Sequence, residues 1–445
     1  MKKTLARMLS IVLSSVMLYG MLGVSVSAQD INNNQFKLNI QTSVKYTAKS
    51  VVPKDQSEIR RLNDEIVDFV SAVFEVENIN VNVKEDIRFL DIIKCYNDTD
   101  ILQLNIYDET DILEELDSGN YAYYVYVDVA GYKVEIILSK GSPVTEEAKK
   151  VFTEEQLRSS LDDVGRWTVS GAGIIQNDNI CLDDFISKFE GEYDNIILAS
   201  SQKGFEYPVI VAIQDEEAKD IIPVYEEQAY EATNILKEEE GIYSFSEAVM
   251  LSLNPQYDNI FIEAENSESI IDSATLEEAT LSSSSGYTKQ LGVTRQKQED
   301  TKWCWAASAS MIGKYISSPG KTQTAIVKYV KGSKVNEGAT TSETKKAVQY
   351  AVGSNHKVKT YNIVPMTTFI KYIYSMKHPI AMELDWDSGN GHVVVIAGVK
   401  SSNNLLYVID PWKSVTNRWL NYNSMCNGTV FGSGTGRYDK IHVVD

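Results

Sequence analysis

The chain has 445 residues, which is more than one ordinary hydrophobic core organises, so we expect two or more domains. Its composition, with 43% hydrophobic and 23% charged residues and only 9 prolines, excludes wholesale disorder. The net charge of −20 conceals an asymmetry: residues 1–286 hold 22 basic and 52 acidic side chains, whereas residues 287–445 hold 20 and 10. The two parts therefore carry net charges of −30 and +10, which predicts separate units that attract each other.

Residues 1–28 have the pattern of a secretory signal peptide. Three basic residues stand among the first seven, an apolar run follows to Val24, and Val26-Ser27-Ala28 offers small residues for cleavage. A retained membrane anchor is the alternative, but serines and glycines interrupt the run and no basic cluster follows it. We expect a secreted protein, free or associated with the cell surface, with no stable membrane anchor after cleavage.

The sequence pattern of residues 29–280 predicts an acidic region of mixed α+β structure, in one or two subdomains. Helical spacing of apolar residues covers residues 57–74 and 144–161, and alternation over residues 121–139 predicts a hairpin that turns at Ala130-Gly131. Further short strands are predicted at residues 207–213, 221–225 and 260–263. No histidine occurs before His356, which weakens the case for independent acid–base catalysis in this region.

The serine-rich composition of residues 281–290 predicts a linker that is open to proteolysis. We expect residues 291–445 to form the next domain. The four cysteines, Cys95, Cys181, Cys304 and Cys426, are far apart and form no CxxC pair. That spacing gives no support to a zinc or thioredoxin-type site, although one or two disulfide bridges remain open. We expect neither a metal nor a cofactor.

The stretch WCWAASASMIGKY places a cysteine at the start of a predicted helix. Trp305, Ala309, Ile312 and Ile316 recur at helical spacing, so Cys304 falls in the first turn. Unpaired backbone N–H groups and the positive end of the helix dipole lie there, and both favour the thiolate, which is the nucleophilic form. The alternative is that Cys304 is a small buried hydrophobic residue.

Three other residues strengthen the nucleophile interpretation. Gln298 lies six residues upstream in a polar loop, where its amide can help to form an oxyanion hole, with Gln296 as a weaker candidate. His392 stands at the mouth of the apolar strand 393–399, and Asp410 ends the next strand, 405–409. An antiparallel hairpin brings the Asp410 carboxylate back to the imidazole, which it can orient.

Each of these residues also has an ordinary structural interpretation, as an exposed loop amide, a structural histidine and a turn residue before Pro411. The other histidines are His356 in a polar loop, His378 before a proline, and His442 in a terminal strand-like segment. Among the four histidines, only His392 follows a glycine at the start of a predicted strand and also has a carboxylate at the end of the next predicted strand. The nucleophile interpretation is stronger than any single motif suggests, because Gln, Cys, His and Asp occur together in that order.

The pattern Q-x5-C-W-A-A, then G-H, then D-P-W resembles the papain-like cysteine peptidases over about residues 287–445. It is most similar to a bacterial branch with a WCWAAS-type motif, related to plant-pathogen effector peptidases and bacteriocin leader peptidases. The resemblance implies an α+β domain at residues 291–445, with a helical lobe packed on an antiparallel β-sheet lobe. It also implies roles for six residues: nucleophile Cys304, base His392, orienting acid Asp410, oxyanion donor Gln298, and supporting residues Trp305 and Trp412.

The sequence departs from that family in two places. The usual papain signature has Gly-x-Cys just before the nucleophile, whereas here Lys302-Trp303 precedes Cys304. This difference removes a disulfide bridge that many secreted papains have. Residues 29–280 do not resemble short helical propeptides, so an inhibitory role for them rests on charge and position.

The sequence thus predicts a secreted cysteine endopeptidase that works through a Cys-His-Asp triad and a thioester, made as a zymogen. Its expected partners are a protein or peptide substrate and its own acidic N-terminal region, which docks on the basic domain. Nucleic acid is not expected, because no base-reading module accompanies the lysines. The alternatives are an acyltransferase of transglutaminase type, an amidase, or a non-catalytic surface-binding protein, and the N-terminal region is alternatively a targeting module.

Overall fold

The computed structural model describes residues 53–96, 121–175, 193, 195–199, 209–215, 217–223, 243–244, 286–387, 391–412 and 417–445. These residues lie within one compact unit, Asn39–Asp445. No helix in this described part is long and apolar enough to cross a bilayer. The expected signal peptide, the first half of the serine-rich linker and the strand predicted at residues 260–263 lie outside the described residues.

The N-terminal region opens with three helices: α1 Pro53–Arg61, α2 Asn63–Val76 and α3 Val83–Asp86. The single helix predicted at residues 57–74 is therefore two helices, because the backbone turns at Leu62 before α2 begins. Two carboxylates, Asp64 and Glu65, occupy the first turn of α2, where the helix dipole favours negative charge. The apolar face of α2 is buried, as its helical spacing predicted.

The predicted hairpin is confirmed. Strands β2 Ala122–Val129 and β3 Tyr132–Lys140 pair antiparallel, and β1 Ile87–Tyr96 precedes them. Ala130 and Gly131 both have left-handed backbone angles, with φ of 52° and 89°. Two such residues make the tight turn whose twist matches that of the strands.

The helix predicted at residues 144–161 is also divided, into α4 Glu146–Val151 and α5 Glu154–Asp163. Thr153 starts the second helix because it forms a reciprocal capping box with Gln156, which satisfies free N–H groups of the first turn. The remaining elements in the described residues of this region are strands: β4 Trp167–Ile174, β5 Asn195–Ala199, β6 Val209–Gln214, β7 Glu217–Pro223 and β8 Tyr243–Ser244. Strands β6 and β7 fall where the sequence predicted strands.

The C-terminal region starts with the short strand β9 Thr288–Gln290, and its helical part follows from the cysteine motif onward. The helices are α6 Cys304–Ile316, α7 Gln323–Lys331, α8 Thr341–Val352 and α9 Met366–Phe369, which continues as a π-helix over Ile370–Met376. Helix α6 is buried along most of its length and packs closely on α8. A Cβ atom at Gly313 of α6 would lie 2.7 Å from the carbonyl oxygen of Ala351, so glycine permits that close approach.

The rest of the C-terminal region is mainly β-structure: β10 Val358–Tyr361, β11 Ile380–Trp386, β12 Gly391–Lys400, β13 Leu405–Ile409, β14 Arg418–Asn421, α10 Tyr422–Asn427, β15 Thr429–Val430 and β16 Thr435–Val444. Strands β12 and β13 form the predicted antiparallel hairpin. Helices and a large mixed sheet together give the α+β class that the sequence predicted.

One sheet runs through both regions of the chain. In the described residues its strand order is β10-β16-β11-β12-β13-β14-β4-β3-β2-β1-β5-β6-β7-β8. The two regions meet where β14 pairs antiparallel with β4, with Trp419 opposite Ala172 and Leu420 opposite Gly171. The acidic region is therefore joined to the basic region by backbone hydrogen bonds of the sheet.

Glycines in β4 let the two strands approach. A Cβ atom at Gly173 would lie 2.4 Å from the carbonyl oxygen of Asn417, which is closer than real contacts of this kind. We therefore expect Gly173→Val to weaken the junction and lower the free energy of unfolding by about 1–3 kcal/mol. Urea unfolding followed by tryptophan fluorescence measures the change.

The matched control is Gly292→Ala, because a Cβ at Gly292 meets no atom within 4 Å. Its unfolding free energy should stay within about 0.5 kcal/mol of the wild-type value. Equal unfolding midpoints for the wild type and Gly173→Val would contradict the close approach of β4 and β14.

Candidate active site

Helix α6 presents Cys304 at its first residue, as the sequence predicted. Trp303, which precedes it, makes no side-chain hydrogen bond to the first turn. The indole N–H of Trp303 donates to the carbonyl of Val335 at 2.8 Å, and that of Trp305 donates to the carbonyl of Glu337 at 3.1 Å. The two tryptophans thus fasten the start of the helix to the segment that precedes α8.

A single hydrogen bond ties α6 to the strand that carries the histidine. Ser308, one turn after Cys304, donates its hydroxyl to the carbonyl of Val393 at 2.9 Å, and both atoms are buried. Val393 directly follows His392 in β12. The bond therefore fixes the distance between the start of α6 and the start of β12, which carry the sulfur and the imidazole.

His392 and Asp410 form a buried pair. The His392 Nε2 atom lies 2.8 Å from Asp410 Oδ1, and the two residues are 6% and 1% exposed. The β12–β13 hairpin brings them together because Val395 pairs with Ile409, one residue before Asp410. Since Nε2 is engaged with the carboxylate, Nδ1 is the ring atom that remains for the side chain of Cys304.

The electrostatics of the pair favour a charged imidazole. Burial alone would lower the pKa of His392, but the Asp410 carboxylate and the Cys304 sulfur raise it to about 10. Burial alone would raise the pKa of Asp410, but His392, Ser433 and the Trp412 N–H lower it below its ordinary value. Both shifts favour an imidazolium held between a carboxylate and a sulfur.

Asp410 is saturated with hydrogen-bond donors, several of which the sequence did not indicate. The backbone N–H of Trp412 donates to Oδ1 at 2.8 Å, and the Ser433 hydroxyl donates to Oδ2 at 2.6 Å. The Arg295 guanidinium donates to the carbonyls of Asp410 at 2.8 Å and of Trp412. Ser433 lies between two glycines in the turn after β15, a local pattern that gives no sign of contact with residue 410.

Two tryptophans flank the imidazole. Trp412, one of the two supporting residues that the resemblance implied, meets the His392 ring edge-on with centroids 6.3 Å apart. Trp386 stacks on the same ring at 5.7 Å with an interplanar angle of 18°. The sequence did not indicate Trp386, whose position beside His392 depends on the pairing of β11 with β12.

Gln298 lies close to the pair but its amide is already in use. Its backbone N–H donates to the Pro411 carbonyl at 2.9 Å, which ties its loop to the segment after Asp410. Its side-chain Nε2 donates to the carbonyls of Asp300 at 3.0 Å and Thr301 at 2.7 Å, while its buried Oε1 has no partner. Gln296 instead accepts hydrogen bonds from Ser310 and Lys314, farther along α6.

Two of the other histidines have structural hydrogen-bond partners. His442 lies 2.7 Å from Glu383 and 2.9 Å from the Thr360 hydroxyl, and His378 lies 2.7 Å from the Val444 carbonyl. Cys304 and Cys426 are free thiols, Cys95 is buried, and Cys181 lies outside the described residues. Burial raises the pKa of Cys426 far above that of an ordinary thiol, so it is held protonated.

A thiol at a helix start, facing a strand-borne imidazole that a carboxylate orients, is the arrangement of papain-like cysteine peptidases. Residues 287–425, about a third of the chain, match the family model described as papain-like cysteine protease AvrRpt2. These residues are thus similar to papain-like cysteine proteases, as their motifs indicated, and the match does not distinguish the WCWAAS-type branch. No curated protein matches the chain.

The raised pKa of His392 can be measured. We expect its imidazole to titrate near pH 10 in the wild type, and at lower pH in Asp410→Asn, because the main charge that stabilises the imidazolium is gone. NMR of the ring carbon signals follows the titration, with Cys304→Ala as a second variant that lowers the midpoint less. A wild-type midpoint near 6.5 would contradict the charged pair.

The same shift fixes a pH dependence of stability. Because its folded pKa lies above the ordinary 6.5, His392 contributes stability that is fully present below pH 6.5 and lost as pH rises through about 10. In Asp410→Asn the loss should be smaller and complete at a lower pH, because the folded pKa of His392 falls while its unfolded value is unchanged; urea unfolding at pH values between about 6 and 10 measures it.

Proposed function

We propose that the protein is a secreted cysteine endopeptidase that hydrolyses peptide bonds with Cys304, His392 and Asp410. The observation that carries the proposal is the buried 2.8 Å contact between His392 and Asp410, beside a sulfur that helps to raise the pKa of the imidazole. This electrostatic arrangement favours a thiolate–imidazolium pair, which is the activated form of a cysteine nucleophile.

The proposed reaction follows from these positions. The Cys304 thiolate attacks the carbonyl carbon of the scissile bond, and the carbonyl oxygen becomes an oxyanion. His392 then gives its Nδ1 proton to the leaving amine, and the carbon remains bound to sulfur as a thioester. Water then attacks the thioester carbon as His392 takes one of its protons, the carbon–sulfur bond breaks, and the acid product leaves while the thiolate–imidazolium pair is restored.

The oxyanion would be held at the start of α6. The backbone N–H of Cys304 and the positive end of the helix dipole lie there, and both favour negative charge. Gln298 is the proposed side-chain donor, and it serves when one of its N–H groups turns from the Asp300 or Thr301 carbonyl to the substrate. Donors of this kind contribute about 10²–10³-fold to turnover in enzymes where they have been removed.

The same three residues also suit acyl transfer to an amine, as in a transglutaminase-type enzyme, or amidase chemistry. The family match favours peptide hydrolysis over both. A non-catalytic binding protein is disfavoured because Asp410 has four hydrogen-bonding contacts in a buried setting that serve to hold the histidine.

We expect Cys304→Ala to abolish cleavage of a fluorescent casein, because the substitution removes the proposed nucleophile. Cys426→Ala is the matched control: it also removes one buried thiol, but one whose pKa burial raises, so it should keep wild-type turnover. Residual cleavage by Cys304→Ala would refute the proposed nucleophile. Incorporation of a labelled amine in place of hydrolysis would assign the acyl-transfer alternative instead.

The proposal includes a zymogen in which the acidic region docks on the basic one and cleavage within residues 281–290 activates the enzyme. The opposite net charges support docking, and two ion pairs between the regions, Glu75–Lys400 and Glu135–Arg418, have the expected signs. A targeting module is the alternative role for the acidic region.

Full-length protein with an engineered protease site at residues 282–285 tests the zymogen. We expect activity on casein to rise after the cut, since inhibition in a zymogen depends on the intact connection. Unchanged activity, with complete cutting seen on a gel, would contradict inhibition and favour targeting. Wild-type protein, which lacks the engineered site, treated with the same protease is the control.

A further inference from the structure

Arg418 is a buried cation at the junction of the two regions. It begins β14, and it is 3% exposed. One guanidinium nitrogen donates to the carboxylate of Glu135, which belongs to β3 of the N-terminal region, and another donates to the Phe431 carbonyl at 3.2 Å. A buried guanidinium requires a partner of opposite charge, and here the other region of the chain supplies it.

Glu135 is itself held in place. Its second carboxylate oxygen accepts a hydrogen bond from the Tyr126 hydroxyl at 2.9 Å, and Tyr126 stands directly opposite it in β2. Glu135 pairs with Gly173 of β4, the strand that joins β14. The N-terminal hairpin therefore presents the carboxylate to Arg418 from a rigid sheet position.

The Phe431 carbonyl belongs to the turn at residues 431–434, which reaches the candidate active site in two ways. Ser433 of this turn donates to Asp410 at 2.6 Å, and the Phe431 ring packs on Trp386 with centroids 5.7 Å apart. Trp386 in turn stacks on His392. A shift of this turn would therefore disturb both the carboxylate and the imidazole.

Arg418 also acts on Asp410 directly through its charge, since the two side chains interact electrostatically. Without Glu135 that charge would be uncompensated, and the guanidinium would lose the partner that aligns it with the Phe431 carbonyl. Both effects would be transmitted to Asp410 and His392.

We propose that Glu135 is a positioning residue of the peptidase site, supplied by the N-terminal region and acting through Arg418 and the 431–434 turn. The inference rests on the proposed function, because it assigns the site a peptidase role. It makes residues 53–175 a lasting part of the enzyme, so that cleavage within residues 281–290 leaves the two regions together.

The test compares Glu135→Gln with Glu75→Gln in the full chain. Both variants remove one negative charge from an ion pair between the two regions. The Glu75–Lys400 pair, at 2.7 Å, lies at the opposite end of β12 from His392, and Glu75 is 71% exposed. Glu75→Gln should therefore leave kcat and KM unchanged, whereas a general weakening of the junction would affect both variants.

We expect Glu135→Gln to lower kcat by about 10- to 100-fold with KM unchanged, because small displacements of catalytic groups have effects of that size and Glu135 does not touch substrate. Glu135→Asp, which keeps the charge, should recover part of the loss. A kcat of Glu135→Gln within twofold of the wild type would overturn the proposal.

A second variant decides the case in which Glu135→Gln does not fold. Arg418→Lys keeps the charge but cannot bond Glu135 and the Phe431 carbonyl together with its single ammonium group, so kcat should fall with KM unchanged. An unchanged kcat in Arg418→Lys would then overturn the proposal.

The rate at which iodoacetamide alkylates Cys304 separates this inference from the proposed function. If the wild type cleaves no peptide, the proposed function fails. Slower alkylation in Glu135→Gln, with Glu75→Gln at the wild-type rate, would still show that Glu135 positions the thiol and imidazole, and equal rates in all three proteins would reject it.

Discussion

The buried contact between His392 and Asp410 is the constraint on which the surrounding structure depends. Charged groups taken out of water are stable only when their remaining hydrogen-bonding capacity is satisfied. The Trp412 N–H and the Ser433 hydroxyl complete the carboxylate, and Arg295 fixes the backbone on either side of Pro411. The loop before α6, the β12–β13 hairpin and the 431–434 turn therefore all converge on one acid side chain.

The charge asymmetry of the sequence takes a specific form in the fold. Net charges of opposite sign do not by themselves specify where two regions touch. In the described residues, two acidic side chains of the N-terminal region meet two buried cations of the C-terminal region, Glu135 with Arg418 and Glu75 with Lys400. The attraction is thus concentrated at defined points along a shared sheet.

Local patterns in the sequence predicted the parts of the fold that local physics determines. The helix after Cys304, the hairpin at Ala130-Gly131 and the hairpin that returns Asp410 to His392 all depend on the spacing of apolar residues and on turn chemistry. The divisions at Leu62 and before Thr153 were not predicted, because apolar spacing continues across a short break.

Contacts between distant segments could not be predicted in this way. Ser433 and Arg295 reach Asp410 only through the tertiary fold, and the pairing of β4 with β14 leaves no periodic signal in either strand. The amide of Gln298 was expected to face an oxyanion, whereas in the structure it bonds two carbonyls of its own loop. The sequence identifies Gln298 as a possible donor, but the direction in which its amide N–H groups point depends on tertiary contacts.

The junction of β4 and β14 also bears on solubility. Strand β14 has four residues, and β4 covers its outer side by pairing with Trp419 and Leu420. A polypeptide that began at Tyr287 would leave this row of N–H and C=O groups bare, and an unpaired strand of this kind is a template for self-association. By covering this strand edge, the acidic region protects the C-terminal region from aggregation.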